Sequence, residues 1–355
     1  MSESSSRGSV VAPESVEEVR RTGGGDGLRV TGVISGIGTA VPERTISNQD
    51  LERLVDTSDE WIVSRTGIKE RHVVDRGTNT SDLVARAASD ALEMAGLDPE
   101  EIDVLVVGTA TPDTVFPSTA CWAQGKIGLR RIPVFDISAA CSGFLYGYIV
   151  ADSLVRAGTA RHVLVAGAEV LSRVMNWEDR ATCVLFGDGA GAAVVSADDD
   201  PDRGLLAHTW GADGKLAQLL WQPAGGTRLP ATRETVEQKQ HTVHMAGNEV
   251  YKHAVKAMHR GVGEVIEKAG IDPDDIDLFV PHQANLRIIN AAADRAHIPH
   301  EKIYLTIEKH GNVSAASIPM ALADAHAAGR LRRGDLVLSA AFGAGFTWAA
   351  ALYRW

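Results

Sequence analysis

Two kinds of apolar pattern alternate along the chain. Runs such as IPVFDIS (132–138), HVLVAGA (162–168) and DLVLSAA (335–341) are short, nearly continuous and rich in Val, Ile and Leu, as buried strands are. Elsewhere the spacing is helical: Phe144, Leu145, Tyr148, Ile149 and Leu154 recur up to a stop at Gly158, and Leu286, Ile289 and Ala293 mark one face of another helix. Strands alternating with helices predict an α/β protein.

The pattern occurs twice. AGLDPEEIDVLV (95–106) and AGIDPDDIDLFV (269–280) each read as a helix end, an Asp-Pro turn and a buried strand. Downstream, CSGFLYGYIVADSLVRAG (141–158) and NVSAASIPMALADAHAAG (312–329) each run to a glycine and then into an apolar strand. Two matched pairs in one order predict two copies of one α/β unit, spanning 29–198 and 206–355. Aligning the two glycines sets Asn312 opposite Cys141, both at the start of an equivalent central helix.

Composition narrows the function. A formal net charge of −11 argues against a nucleic-acid partner. Three cysteines without framework spacing predict a reducing, cytoplasmic setting and no zinc site. No apolar run reaches the ~18 residues of a membrane span. Residues 1–28, rich in Ser, Gly and charge, read as a disordered tail rather than a signal peptide.

Candidate chemistry sits at strand ends. In FDISAACSGF (135–144), Cys141 falls where a strand turns into a helix, among small residues that leave its sulfur approachable. A helix N-terminus lowers a thiol pKa, which suits a nucleophile; a small packing cysteine fits the stretch equally well. His282, in VPHQANLRIINAA (280–292), ends the second repeated strand, where α/β sheets present ligand-binding groups. His310 reads as loop packing, Cys121 and Cys183 as buried filler, and GDGAG (187–191) as a structural turn.

DISAACSGF, VPHQANLRI and HGNVSAASIP resemble the Cys, His and Asn motifs of the β-ketoacyl-[acyl-carrier-protein] synthase III family. DTSDEWIVSRTGIKERH, FGDGAGAAVV, MAGNEVYK and AFGAGFTWAAAL extend the resemblance from about residue 29 to the C-terminus. It implies a thiolase-like five-layered α-β-α-β-α fold, a homodimer and no cofactor or metal. It implies an acyl-CoA primer, acetyl-CoA first, condensed with malonyl-acyl carrier protein. In that reading Cys141 takes up the acyl group, and the N–H groups of Cys141 and Ala344 stabilise the oxyanion. His282 and Asn312 steady the enolate left by loss of CO2. Trp61, Arg65, Arg180, Gly247 and Asn285 match CoA-binding positions, and Phe116 matches a residue that closes the partner subunit's acyl pocket. The segment Gln283, Ala284, Asn285, Leu286 and Arg287, with Lys252 and Lys256, matches the carrier-docking region.

A Cys-His-Asn set resembles the initiating synthases, whereas elongating relatives carry Cys-His-His. The chain departs from the family pattern at Ala181, Val313 and Ala344, which leaves primer choice open. A polyketide-priming relative fits the same triad. A papain-type hydrolase and a non-catalytic ketosynthase partner fit less well, because of the internal repeat and the intact cysteine respectively.

Overall fold

The computed structural model describes residues 30–355; the expected tail, 1–28, lies outside them. The first half forms a mixed sheet from β1 (Thr31–Ala40), β2 (Val104–Gly108), β3 (Val134–Ile137), β4 (His162–Val170) and β5 (Asp188–Asp198), in the order β1-β5-β4-β2-β3. The second half forms β6 (Gly204–Ala212), β7 (Leu278–Phe279), β8 (Leu336–Gly343) and β9 (Thr347–Arg354), in the order β6-β9-β8-β7, with Ile303 bridging to Phe279 beyond β7. Strand for strand the two orders correspond, and so do their parallel and antiparallel pairings.

The helices are α1 (Asp59–Thr66), α2 (Thr80–Ala95), α3 (Thr119–Ile127), α4 (Gly143–Arg156), α5 (Gly247–Ala269), α6 (Leu286–Ala296) and α7 (Ser317–Ala327). The side-chain alternation of β4 shows how they layer. Val163 and Val165 pack with Phe144 and Tyr148 of α4 and Ile318 of α7, in a core shared with Val337 and Ala341 of the second sheet. Leu164, Ala166 and Ala168 face the other way, against Leu83, Ala87 and Ala91 of α2. On the far side, α5 and α6 cover Phe279, Leu338 and Ala340. The layers are therefore α-β-α-β-α, with α4 and α7 between the sheets. Every strand buried on both faces must be apolar at successive positions, which is why these runs lack a polar face.

The central layer corrects the register read from the glycines. Ala140 and Ser314 share a positive φ of 45°, and each opens a 3-10 turn (Ala140–Ser142, Ser314–Ala316) that leads directly into α4 or α7. On backbone geometry Cys141 corresponds to Ala315. Asn312 lies three residues before that point, because α4 has 14 residues and α7 has 11. Equal spacing to the glycines conceals a lost turn of helix. GDGAG is also not a turn: Asp188–Gly191 lies within β5.

The two halves touch through backbone. A Cβ on Gly167 of β4 would lie 2.2 Å from the Ala315 carbonyl oxygen. Gly167→Ala should therefore cost about 1–3 kcal/mol, read as a lower Tm. Gly263→Ala, on the exposed face of α5 with nothing within 4 Å of its Cβ, should instead gain about 0.5–1 kcal/mol.

Candidate active site

Cys141, in the turn before α4, is 6% exposed and lies in the wall of two cavities. The first, about 270 Å³, runs past His282, Asn312 and Phe342 to Trp61, Arg65 and Asn285. The second, about 150 Å³, is lined by Thr111, Leu171, Trp221, Ser314 and Ala344 among others. Phe186 and Leu220 border both, so the sulfur sits at a constriction between a long arm and a short one.

Small residues let the backbone close in here. A Cβ on Gly343 would lie 2.7 Å from the Cys141 nitrogen, so the end of β8 packs directly on the Cys141 backbone. Neither the Cys141 nor the Ala344 N–H has an acceptor among the described residues. Ala344 does not adopt a positive φ, so its methyl costs no backbone strain. Burial pushes the Cys141 thiol up to about 12; the Ser314 hydroxyl opposes this and the Glu169 carboxylate reinforces it. The expectation of a lowered thiol pKa is thus reversed, because burial outweighs the groups that favour the thiolate.

Asn312 is held by its neighbours. Its N–H donates to the Leu185 carbonyl (2.9 Å), its carbonyl accepts from Gly187 N–H (3.0 Å), and its Oδ1 accepts from Ser314 N–H (2.9 Å). With the oxygen committed, the side-chain NH2 is left to face the cavity. His282 is 1% exposed, and its N–H donates to the Ala340 carbonyl of β8 (2.8 Å). Its Nδ1 meets the Ser317 hydroxyl at 2.6 Å, while Nε2 is buried without a partner. The Ser317 hydroxyl lies 2.9 Å from the Ser314 carbonyl as well, so its one proton serves either acceptor and sets the tautomer of His282.

The remaining positions divide. Arg65 and Arg180 each place a guanidinium 4.9 Å from the centre of the Trp61 ring, at the mouth of the first cavity. Gly247, Ala284 and Arg287 line that cavity too. Asn285 caps α6 through Arg287 N–H and donates to the Arg65 carbonyl (2.9 Å), which joins α6 to α1. Gln283 is turned inward, 1% exposed: its amide donates to the Pro281 and Tyr304 carbonyls and accepts from Thr306 and Ile307 N–H. It cannot reach a docked carrier, so that part of the expected docking segment is structural. Leu286 packs toward Gly67 rather than joining the buried stripe of α6, which is Ile288, Ile289, Ala292, Ala293 and Ala296.

Lys252, Lys256 and Arg260 do lie along α5, but Lys252 pairs with Glu249 and Arg260 with Glu264. Among the described residues Lys256 and Arg287 form no ion pair, and Lys256 borders a separate surface groove with His253 and Trp348. Phe116 lines neither cavity and is 84% exposed. Cys121 is exposed rather than buried, because it faces outward on α3; Cys183 is buried as expected. Val313 packs against Ala316 and Met320, away from the cavities, while Ala181 lines the first.

Sequence reasoning missed Glu169, Ser314 and Ser317. Glu169, fully buried near the end of β4, carried a signal: a carboxylate closing an apolar run, as His282 does. The two serines carried none, since their work depends on the turn's unusual backbone.

Burial leaves His282 neutral, its pKa lowered to about 3. Unfolded, the ring takes a proton near 6.5, so between those values the unfolded chain binds more protons and stability falls as pH drops. Nitrogen-15 spectra of histidine-labelled protein should show a His282 ring that does not titrate from about pH 5 to 8.

Comparison with known proteins adds the family. Residues 135–214 match the model for 3-oxoacyl-[acyl-carrier-protein (ACP)] synthase III, and residues 266–355 match the model for its C-terminal part. A β-ketoacyl-[acyl-carrier-protein] synthase III from Caldanaerobacter subterraneus subsp. tengcongensis is 50% identical over 327 residues, covering 92% of this chain and 98% of the relative. The crystal structure of 3-oxoacyl-[acyl-carrier-protein] synthase III from Aquifex aeolicus VF5 superimposes with a TM-score of 0.84 at 47% identity, covering 91% of this chain and all (100%) of that one. The priming β-ketosynthase of the R1128 polyketide pathway superimposes with the same TM-score, 0.84, at 34% identity, covering 94% and 99%.

Proposed function

The chain belongs to the β-ketoacyl-[acyl-carrier-protein] synthase III family, the condensing acyltransferases that initiate fatty-acid synthesis, and we propose that Cys141, His282 and Asn312 divide that reaction between them. The observation that carries this reading is their convergence on one cavity that reaches the surface at Trp61.

The thioester of an acyl-CoA meets Cys141 at the end of the long cavity. Thiolate attack transfers the acyl group to sulfur and expels CoA thiol, so one difficult condensation becomes two easier steps. The unpaired N–H groups of Cys141 and Ala344 receive the oxyanion. Trp61 offers a face to adenine, with Arg65 and Arg180 beside it for stacking and phosphate charge. Gly247 and Asn285 border the path of the pantetheine arm. The acyl chain occupies the second cavity, whose 150 Å³ suits a short primer, acetyl first.

Malonyl-acyl carrier protein then enters by the same arm. Loss of CO2 leaves an enolate, and the Asn312 NH2 and His282 Nε2–H donate to its oxygen. That tautomer of His282 requires the Ser317 hydroxyl to donate to Nδ1 rather than to the Ser314 carbonyl. The carbanion attacks the acyl-Cys141 carbonyl and releases the 3-oxoacyl carrier protein. The thioesters bring their own activation, so the chemistry calls for neither metal nor redox cofactor.

The first sheet's edge supports a homodimer. β3 is an edge strand, Phe135 on it is 37% exposed, and Val115, Phe116 and Trp122 are exposed at 82%, 84% and 46%. An open edge with apolar neighbours fits a second copy, whose acyl pocket Phe116 would close. Three free cysteines and no helix long or apolar enough to cross a membrane among the described residues support a cytoplasmic location. A polyketide-priming role remains the second reading, since the R1128 enzyme shares the fold.

Mass spectrometry after incubation with acetyl-, isobutyryl- and longer acyl-CoA should place a short acyl adduct on Cys141, and Cys141→Ser should abolish it. A preference for the longest chains would overturn the assignment of the second cavity. His282→Ala and Asn312→Ala should keep acylation while losing malonyl decarboxylation by about 10²–10³. Equal loss of both steps would make His282 the base for Cys141 instead.

Carrier docking is assigned to Arg287, whose guanidinium lies 5.5 Å from the Tyr251 ring, with Lys252 and Lys256 along α5. This local patch would steer an acidic carrier against the overall negative charge. Lys252→Glu combined with Arg287→Glu should raise the KM for malonyl-carrier protein and flatten its salt dependence. Self-acylation by a small acyl-CoA should hardly change.

A further inference from the structure

Arg71 is a buried cation without a partner of opposite charge. It sits in the middle of the short strand Glu70–His72, which pairs with Thr45–Ser47, and it is 0% exposed. Burial pulls its pKa down only to about 10, so it stays charged at neutral pH. Among the described residues it forms no ion pair. Its acceptors are neutral oxygens: Nη1 donates to the Ile46 carbonyl (3.0 Å) and to Asn48 Oδ1 (2.9 Å), and Nη2 donates to the Val184 carbonyl (2.8 Å). Nε is buried without a partner. Taking a guanidinium out of water for neutral acceptors is costly, and an apolar side chain of similar volume would pack there at less cost. What its fork joins explains the residue.

Two of the acceptors lead to opposite walls of the first cavity's mouth. Asn48, also fully buried, donates through Nδ2 to Asp59 Oδ1 (2.8 Å) and to the Ile68 carbonyl (2.8 Å). Asp59 begins α1, which carries Trp61 and Arg65. Val184 directly follows the turn Arg180–Cys183, which carries Arg180, and lines the cavity itself. At the surface the walls also meet through Arg180, whose Nη1 donates to the Asp56 carbonyl (2.7 Å) in contact with solvent. Arg71 holds them from below, where water does not compete.

We propose that Arg71 is a positioning residue for the nucleotide of acyl-CoA: its guanidinium, bridging Asn48 and Val184, sets the separation of Trp61 and Arg65 from Arg180. This rests on the reading of those three residues as a nucleotide clamp. A planar fork with fixed donors suits a three-point bridge, whereas a lysine ammonium is a point charge on a flexible stem. The stem of Arg71 has a separate role. A Cβ on Gly187 or Gly311 would lie 3.2 or 3.3 Å from the Arg71 Cβ, and both glycines adjoin the Asn312 backbone, Gly187 by hydrogen bond and Gly311 by sequence. Methionine in place of Arg71 keeps a stem against these glycines and removes the fork alone.

Acetyl-CoA and acetyl-pantetheine present the same thioester with and without the nucleotide. Acylation of Cys141 by each can be followed by intact mass after rapid quenching. In the wild type, a KM for acetyl-CoA well below that for acetyl-pantetheine tests the clamp; equal values would overturn the clamp and the role of Arg71 with it. Arg71→Met should raise the KM for acetyl-CoA about tenfold, where a displaced positioning group can cost up to about 10²-fold, and leave the maximal acylation rate in place. Acylation by acetyl-pantetheine, and CO2 release from malonyl-carrier protein without primer, should hardly change, since neither uses the nucleotide. Arg71→Lys should share the defect. Asn48→Ala, which severs the bridge on the α1 side and leaves Arg71 its other two acceptors, should show the same split, and joining it to Arg71→Met should add little. Should Arg71→Met fail to fold, Asn48→Ala carries the test. An unchanged KM for acetyl-CoA in either variant, wild-type behaviour in Arg71→Lys, or equal loss with all three substrates would overturn the bridge.

Discussion

The site depends on a contact between two pieces of backbone at the centre of the molecule. The turns that open α4 and α7 approach each other and the neighbouring strands so closely that side chains are excluded: Gly108 stands against Gly143, and Gly167 against Ala315. A sheet on each side holds this layer in place, and the apolar core above and below it is continuous through both halves. Once the turns are fixed, Cys141 and Ser314 lie next to one another, and Asn312 follows because its side-chain oxygen is tied to the Ser314 N–H. The geometry of the proposed site is a by-product of how tightly a duplicated unit packs against its copy.

That packing also arranges the polarity. Most polar atoms around the cavity are committed to the protein: Asn312 Oδ1 to Ser314, His282 Nδ1 to Ser317, Glu169 to Ala110 and Thr111. What remains uncommitted points inward: the N–H groups of Cys141 and Ala344, and Nε2 of His282. Donors that need no reorganisation when charge develops are the main source of electrostatic stabilisation in buried sites. The same burial raises the thiol and lowers the imidazole pKa, which keeps these two groups themselves uncharged at rest.

Much of this was legible in the chain. Apolar runs without a polar face announced strands covered on both sides, and the repeated Asp-Pro turns announced the duplication. The positions of Cys141 and His282 at strand ends pointed to the site, and the family motifs supplied Asn312. Other features were not legible because they depend on three-dimensional detail. Counting residues to a glycine cannot reveal that α7 is a turn shorter than α4. Gln283 stands in a motif beside surface residues, yet its backbone turns its amide inward. Lys252 and Arg260 look like a free basic stripe until their partners Glu249 and Glu264, three and four residues away, are seen to pair with them.

The inward amide of Gln283 sets a limit on how this chain can vary. Four backbone groups meet it: two carbonyls, at Pro281 and Tyr304, and two N–H groups, at Thr306 and Ile307. It therefore joins the segment that carries His282 to the segment that leads to Asn312. A planar amide on a two-carbon stem supplies two donors and a doubly accepting oxygen. Glutamate would set lone pairs against carbonyls, methionine would leave all four groups unpaired, and asparagine would fall a methylene short. No other side chain meets all four groups from this position. The separation of His282 and Asn312 is in effect inherited through a residue that lines neither cavity.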